Sequence, residues 1–117
     1  HLGNPDIGIL PILNIALFGL FASLYLLRTD NVWGIIGLHT AWNFTQGNIY
    51  GFTVSGTGVD AAVLNFIPKT DSSWLTGEAF GAEASIFSSL ILLIAVFYLL
   101  FNMKKDGVLT ELVGKTQ

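Results

Sequence analysis

The chain has 117 residues, of which 52% are hydrophobic and 11% are charged, and its formal net charge is −3. A soluble domain usually has about a quarter of its residues charged. The composition therefore excludes an ordinary soluble domain and predicts an integral membrane protein. The slight acidic excess argues against nucleic acid as a partner, and the absence of cysteine excludes disulfides, thiolate metal sites and a cysteine nucleophile.

The first apolar segment predicts a transmembrane helix over residues 7–28. At a rise of about 1.5 Å per residue, a helix of this length spans a hydrocarbon core of about 30 Å. Pro11 falls in the first turns, where proline costs least. Asn14 is the one costly polar residue, and we expect it to face the other helices rather than lipid.

The second predicted span, residues 32–53, carries a series of polar side chains. His39, Asn43 and Gln46 are spaced four and three residues apart, which places them on one face of an α-helix. Tyr50 extends this face by another turn. Polar groups at bilayer depth are costly unless a partner satisfies them, so this face is the candidate functional site.

A loop over residues 54–81 and a third predicted span over residues 82–103 complete an all-α transmembrane bundle of three spans. Short flanking segments of membrane proteins carry more Lys and Arg on the cytoplasmic side. In the three-span arrangement Arg28, Lys104 and Lys105 lie on one side of the membrane. We therefore expect the C-terminus in the cytoplasm.

The spacing of His39 and Asn43 supports several interpretations. An imidazole and a carboxamide on one face can donate hydrogen bonds to a developing oxyanion. The imidazole could instead be a base or a metal ligand. The pair could equally be an interhelical hydrogen-bonding pair that only fixes packing. Two acids, Glu78 and Glu83, are more simply a solvated loop acid and an acid near a helix N-terminus than active-site carboxylates.

Residues 39–47 carry the most specific sequence pattern in the chain, His-Thr-Ala-Trp-Asn-Phe-Thr-Gln-Gly. This stretch resembles the HxxxN motif, in its HxxWNFxQG form, of the CAAX-protease and bacteriocin-processing (CPBP) intramembrane peptidases. Residues 54–56 and 74–83 resemble stretches that follow the motif in bacterial members. Residues 1–5 resemble the segment that begins at the histidine of the family's FxxxH motif.

The resemblance implies a catalytic role for three residues. His1 would position or activate the hydrolytic water, and His39 and Asn43 would stabilise the tetrahedral oxyanion. In a metal-dependent mechanism His1 and His39 would instead be ligands of a divalent ion such as zinc. The sequence requires no cofactor, because two histidines without a carboxylate do not complete a site of three protein ligands and a water.

The family's EExxxR motif, which supplies a water-activating glutamate, is absent from these 117 residues. The resemblance therefore implies that residues 1–117 are the C-terminal portion of a protease domain in a bacterial cell membrane, inactive without the missing N-terminal helices. Its substrate would be a peptide or protein at the bilayer, such as a prenylated CAAX protein, a leader peptide or a bacteriocin precursor. The main alternative is a non-enzymatic immunity or scaffold protein of the same fold, and a transporter segment is a third.

Overall fold

The architecture is described by a computed structural model that covers residue 3, residues 8–70, residues 72–108 and residue 114. Its elements, in chain order, are α1 (Ile9–Thr29), α2 (Val32–Phe44), a π-helical turn (Thr45–Ile49), a short α3 (Ser73–Thr76), two 3-10 turns (Glu78–Phe80 and Ala82–Ala84) and α4 (Ile86–Lys105). These parts of the chain form no strand beyond an isolated bridge between Val54 and Thr57. The predicted all-α class is confirmed.

A tight turn joins α1 to α2 because two adjacent residues cap both helices. Asp30 adopts the left-handed conformation at the end of α1, and its N–H donates to the Leu26 carbonyl at 2.8 Å. The Asn31 side chain then accepts a hydrogen bond from the Trp33 N–H at 3.0 Å, which satisfies one of the free donors at the start of α2. The two helices therefore run antiparallel.

The second predicted span is shorter than expected, so the structure has two candidate membrane spans rather than three. Within the described ranges, only α1 and α4 are long and apolar enough to cross a membrane. The 13 residues of α2 rise about 20 Å before the wider π-helical turn begins at Thr45. Helical structure then ends, because Gly51 adopts a φ of 75° and the Tyr50 carbonyl accepts from the Phe66 N–H of the loop instead.

The pair α1 and α4 forms the core of the fold. The two helices run parallel, since Asn14 contacts Ser89 near their N-termini and Arg28 contacts Asp106 at their C-terminal ends. Between these contacts lies a buried apolar cluster of Leu24, Val96, Leu99 and Met103. The remaining apolar side chains of both helices are mostly exposed, as expected of helices that face lipid.

Asn14 faces the other helices, as its cost in lipid predicts, and only 4% of it is exposed. Its Nδ2 donates to the carbonyls of Glu83 at 2.8 Å and Ser85 at 3.1 Å. Its Oδ1 accepts from the Ser89 hydroxyl at 2.6 Å. We call this group of four residues the Asn14 clasp. It ties the N-terminal part of α1 to the start of α4 and holds the 3-10 turn at Ala82–Ala84 against α1.

Candidate active site

His39 lies near the middle of α2, half-buried against α1. Its ring packs on Phe18, with ring centroids 5.1 Å apart and the planes tilted by 45°. Closer to the turn between the helices, Gly34 faces Tyr25 so closely that a Cβ at Gly34 would collide with the Tyr25 hydroxyl. These contacts hold the His39 face of α2 toward α1.

The structure brings His39 and Asn43 together, one helical turn apart. Asn43 Nδ2 and His39 Nε2 are 3.2 Å apart, a hydrogen-bonding distance. When the imidazole carries its proton on Nδ1, Nε2 accepts this bond and the second N–H of the Asn43 carboxamide is still available. When the proton is on Nε2, the ring donates to a reversed carboxamide, whose two N–H groups are then both available. In either state Asn43 retains a donor for an oxyanion.

Asn43 also has an acceptor without a partner. Its Oδ1 is buried and makes no hydrogen bond within the described parts of the chain. A buried polar atom of this kind costs about 1–3 kcal/mol, so it needs a physical reason, of which a catalytic role is one. Among the described residues, the hydrogen bond to His39 is therefore the one that holds the carboxamide.

Gln46 does not continue the line of His39 and Asn43 as the spacing predicts. It lies in the π-helical turn, where the wider helix rotates it, and it is buried with 4% of its area exposed. Its Nε2 donates to the Thr53 carbonyl at 2.6 Å. Tyr50 also leaves the predicted face, since its ring packs edge-on against Phe66 of the loop with centroids 5.4 Å apart.

His1 lies outside the described residues, so its predicted role stays a prediction. Glu83 lies in the second 3-10 turn, ahead of the α4 N-cap Ser85, and its carboxylate accepts a short hydrogen bond from the Ser55 hydroxyl. It therefore lies just before α4 rather than in the first turn of that helix. The described contacts of Glu83 connect it to Ser55 and to the Asn14 clasp rather than to His39.

The donor set around His39 does not fit a complete metal site within the described residues. No three His, Cys, Asp or Glu side chains converge there. His39 Nε2, a nitrogen that could bind a metal, is engaged with Asn43. The residues present are instead an imidazole and a carboxamide, hydrogen-bonding groups that suit the stabilisation of charge on a reacting oxygen.

Two contacts of this region could not be found from the sequence. Phe18 packs on His39 but is one of many large apolar residues in α1. Gly81 lies against Gln46 and Thr53, although 35 positions of chain separate it from Gln46 and no periodicity links them. By contrast, the Asn14 clasp had a signal, because Asn14 and Ser89 are among the few polar residues of otherwise apolar helices.

The comparisons with known proteins bear on the first part of the chain. The family model described as type II CAAX prenyl endopeptidase Rce1-like matches residues 1–45, a range that contains α1, α2 and the His39–Asn43 pair. A search of curated proteins and a search of solved structures each found no significant match. The two apolar helices and this match together indicate an integral membrane protein. The resemblance predicted from the motif is confirmed, since over residues 1–45 the chain is similar to the Rce1-like type II CAAX prenyl endopeptidases.

Proposed function

We propose that this chain is part of an intramembrane endopeptidase of the CAAX-protease type, in which His39 and Asn43 stabilise the oxyanion formed during peptide-bond hydrolysis. The observation that carries the proposal is the pairing of these two side chains at 3.2 Å within the segment that resembles the endopeptidase family. The substrate is a peptide or protein at the membrane, with prenylated CAAX proteins and leader peptides as the candidates.

The reaction begins when a water attacks the scissile carbonyl carbon and negative charge develops on the carbonyl oxygen. The N–H of Asn43 that is not engaged with His39 donates to this oxygen, and His39 fixes the carboxamide that carries it. Because α2 holds them in place before reaction, they need little reorganisation as the charge forms, and in a dry environment such donors stabilise the transition state strongly. The attacking water gives up a proton to its activating base, the C–N bond breaks, and the leaving amine takes up that proton. His1 positions or activates the attacking water.

The water-activating glutamate of the EExxxR motif does not occur in the sequence, so we propose that helices beyond these 117 residues supply it. Glu83 is already bonded to Ser55 and is not assigned the role. On this proposal residues 1–117 are the C-terminal portion of the protease domain, with the C-terminus in the cytoplasm, and they do not cleave peptides alone.

One observation favours the alternative of a non-enzymatic immunity or scaffold protein. His39 packs on Phe18 of α1, so the His39–Asn43 pair also contributes to helix packing. If packing were its only role, substitution of His39 would impair folding or assembly rather than turnover.

The test is cleavage of a peptide library by the full-length protein in detergent, comparing wild type with His39→Ala and Asn43→Ala, with and without a chelator. Loss of one oxyanion donor typically costs about 100- to 1000-fold in kcat. We expect losses of this size in both variants, with membrane insertion and thermal unfolding close to wild type. Asn48→Ala is the matched control, since Asn48 is an exposed asparagine in the next turn.

Wild-type cleavage that persists in both variants would contradict the oxyanion role. Loss of folding in His39→Ala and Asn43→Ala alike would favour the scaffold. The chelator separates a metal-dependent reaction from hydrolysis by protein groups alone.

A further inference from the structure

Gln46 is held on both its main chain and its side chain by the extended segment that follows the π-helical turn. Its Nε2 donates to the Thr53 carbonyl at 2.6 Å, and its own carbonyl accepts from the Phe52 N–H at 3.0 Å. Hydrogen bonds with the adjacent residues Phe52 and Thr53 therefore fix both the backbone and the side chain of Gln46. The turn begins directly after Phe44, so any movement of Gln46 acts on the end of α2 that carries Asn43.

The surroundings of Gln46 leave little room for the turn to move. Gly81 has a φ of 106°, and a Cβ built on it would lie 2.7 Å from Gln46 Nε2 and would collide with the Thr53 carbonyl. On the neighbouring residue, a Cβ at Gly47 would lie 2.9 Å from Val59 Cγ1. Glycine at both positions lets other segments cover the Gln46–Thr53 hydrogen bond closely.

The buried position of the Gln46 side chain carries a free-energy cost that packing alone does not explain. Gln46 Oε1 is buried and has no hydrogen-bond partner in the described parts of the chain. Reversing the carboxamide would set its oxygen against the Thr53 carbonyl, so the unpaired atom is the oxygen. A buried acceptor of this kind costs about 1–3 kcal/mol, and methionine would fill a similar volume without that cost.

We propose that Gln46 is a positioning residue of the candidate active site. By fixing the π-helical turn against Thr53 and Gly81, it sets the direction in which Asn43 presents its carboxamide to His39 and to the oxyanion. Gln46 itself touches no reacting atom. This inference rests on the proposed function. It assigns to the buried glutamine the role of fixing the end of α2 that carries Asn43 in its orientation toward His39.

The test is a double-mutant cycle in the full-length protein with Gln46→Met, Asn43→Ala and the double variant. A displacement of about 1 Å in a catalytic group can cost up to about 100-fold, so we expect Gln46→Met to lower kcat by about 10- to 100-fold with little change in KM. Its unfolding midpoint should stay close to that of wild type, because removing the unpaired Oε1 offsets the loss of the hydrogen bond to the Thr53 carbonyl. In the Asn43→Ala background the same substitution should have little further effect, since the group it positions is gone.

Asn48→Leu is the matched control, because it replaces an exposed carboxamide of the same turn by an apolar side chain of similar shape. A second readout does not depend on cleavage: the ¹⁵N chemical shifts of the His39 ring. These shifts should move in Gln46→Met and stay at wild-type values in Asn48→Leu.

The positioning role would be overturned by any one of three results. These are an unchanged kcat in Gln46→Met, losses in kcat that multiply in the double variant, and ¹⁵N shifts of His39 that do not move in Gln46→Met. If Asn43→Ala cleaves like wild type, the oxyanion proposal fails instead, and the His39 shifts still decide whether Gln46 positions the pair.

Discussion

The pair α1 and α4 differs from α2 in how it is attached to the rest of the molecule. Contacts between α1 and α4 extend over their full length, from the Asn14 clasp through the buried cluster to the ion pair of Arg28 and Asp106. By contrast, α2 contains no buried residue and is held by Gly34, by His39 and by the π-helical turn. Stability therefore resides mainly in one helix pair, while the candidate active site lies on the other helix.

The largest expected effect on stability comes from breaking the Asn14 clasp. In Asn14→Leu, the Glu83 carbonyl loses its side-chain partner, and the Ser85 carbonyl and Ser89 hydroxyl keep only the hydrogen bonds between Ser89 and Ser85. Each buried group left unpaired costs about 1–3 kcal/mol. We expect the free energy of unfolding in mixed micelles to fall by about 2–4 kcal/mol.

Ser23→Ala on the same helix is the control for Asn14→Leu, because the exposed Ser23 hydroxyl bonds only to the Gly19 carbonyl of its own helix. Equal stability losses in the two variants would contradict the importance of the clasp.

The contact between α1 and α2 is expected to affect stability less than the Asn14 clasp does, but to affect peptide cleavage more. The Cβ introduced by Gly34→Ala would collide with the Tyr25 hydroxyl and lie 2.8 Å from its Cζ. Overpacking costs about 1–3 kcal/mol, and alanine returns up to about 1 kcal/mol of helix propensity. Thermal and detergent unfolding should therefore show a net loss of about 1 kcal/mol, and peptide cleavage should fall because α2 shifts.

Gly37→Ala is the control for this contact, since a Cβ at Gly37 meets nothing within 4 Å. It should be neutral or slightly stabilising and should keep wild-type cleavage. If Gly34→Ala and Gly37→Ala behave alike, Tyr25 does not set the position of α2.

The smallest effect is expected at the ion pair that joins the C-terminal ends of α1 and α4. Arg28 Nη2 lies 2.9 Å from Asp106 Oδ2, but the two side chains are 27% and 45% exposed. Exposed ion pairs contribute about 0.2–1 kcal/mol, and salt screens them. Arg28→Ala should therefore destabilise by less than about 1 kcal/mol at low salt and by less still at high salt, measured against Lys105→Ala. A loss above about 2 kcal/mol would show that the ends of the pair are as important as the Asn14 clasp.

Much of the fold could be predicted from the sequence because the cost of polar groups in lipid is a strong constraint. The helices Ile9–Thr29 and Ile86–Lys105 match the predicted spans 7–28 and 82–103 to within a few residues. Asn14 faces the other helices for the same reason. The pairing of His39 with Asn43 followed from their spacing of four residues.

The second span could not be predicted, because its course depends on contacts distant in the sequence. A regular helix over 32–53 would place Gln46 beside Asn43, but the π-helical turn directs it to Thr53. Local propensity does not specify that turn. It is stabilised where Val59 packs on Gly47 and where loop N–H groups bond to the carbonyls of Asn48 and Ile49.

The Asn14 clasp also has a consequence for synthesis of the protein. Ser89, which donates to Asn14 Oδ1, is 75 residues later in the chain. At about 5–20 residues per second, a ribosome needs about 4–15 s to make that distance. During this interval α1 must be inserted with an unsatisfied carboxamide. Burial of the neighbouring apolar side chains in lipid must then offset the free-energy cost of that group. We therefore expect α1 to stay beside the translocation channel until α4 emerges, so that the first and last helices of this region enter the lipid as a pair.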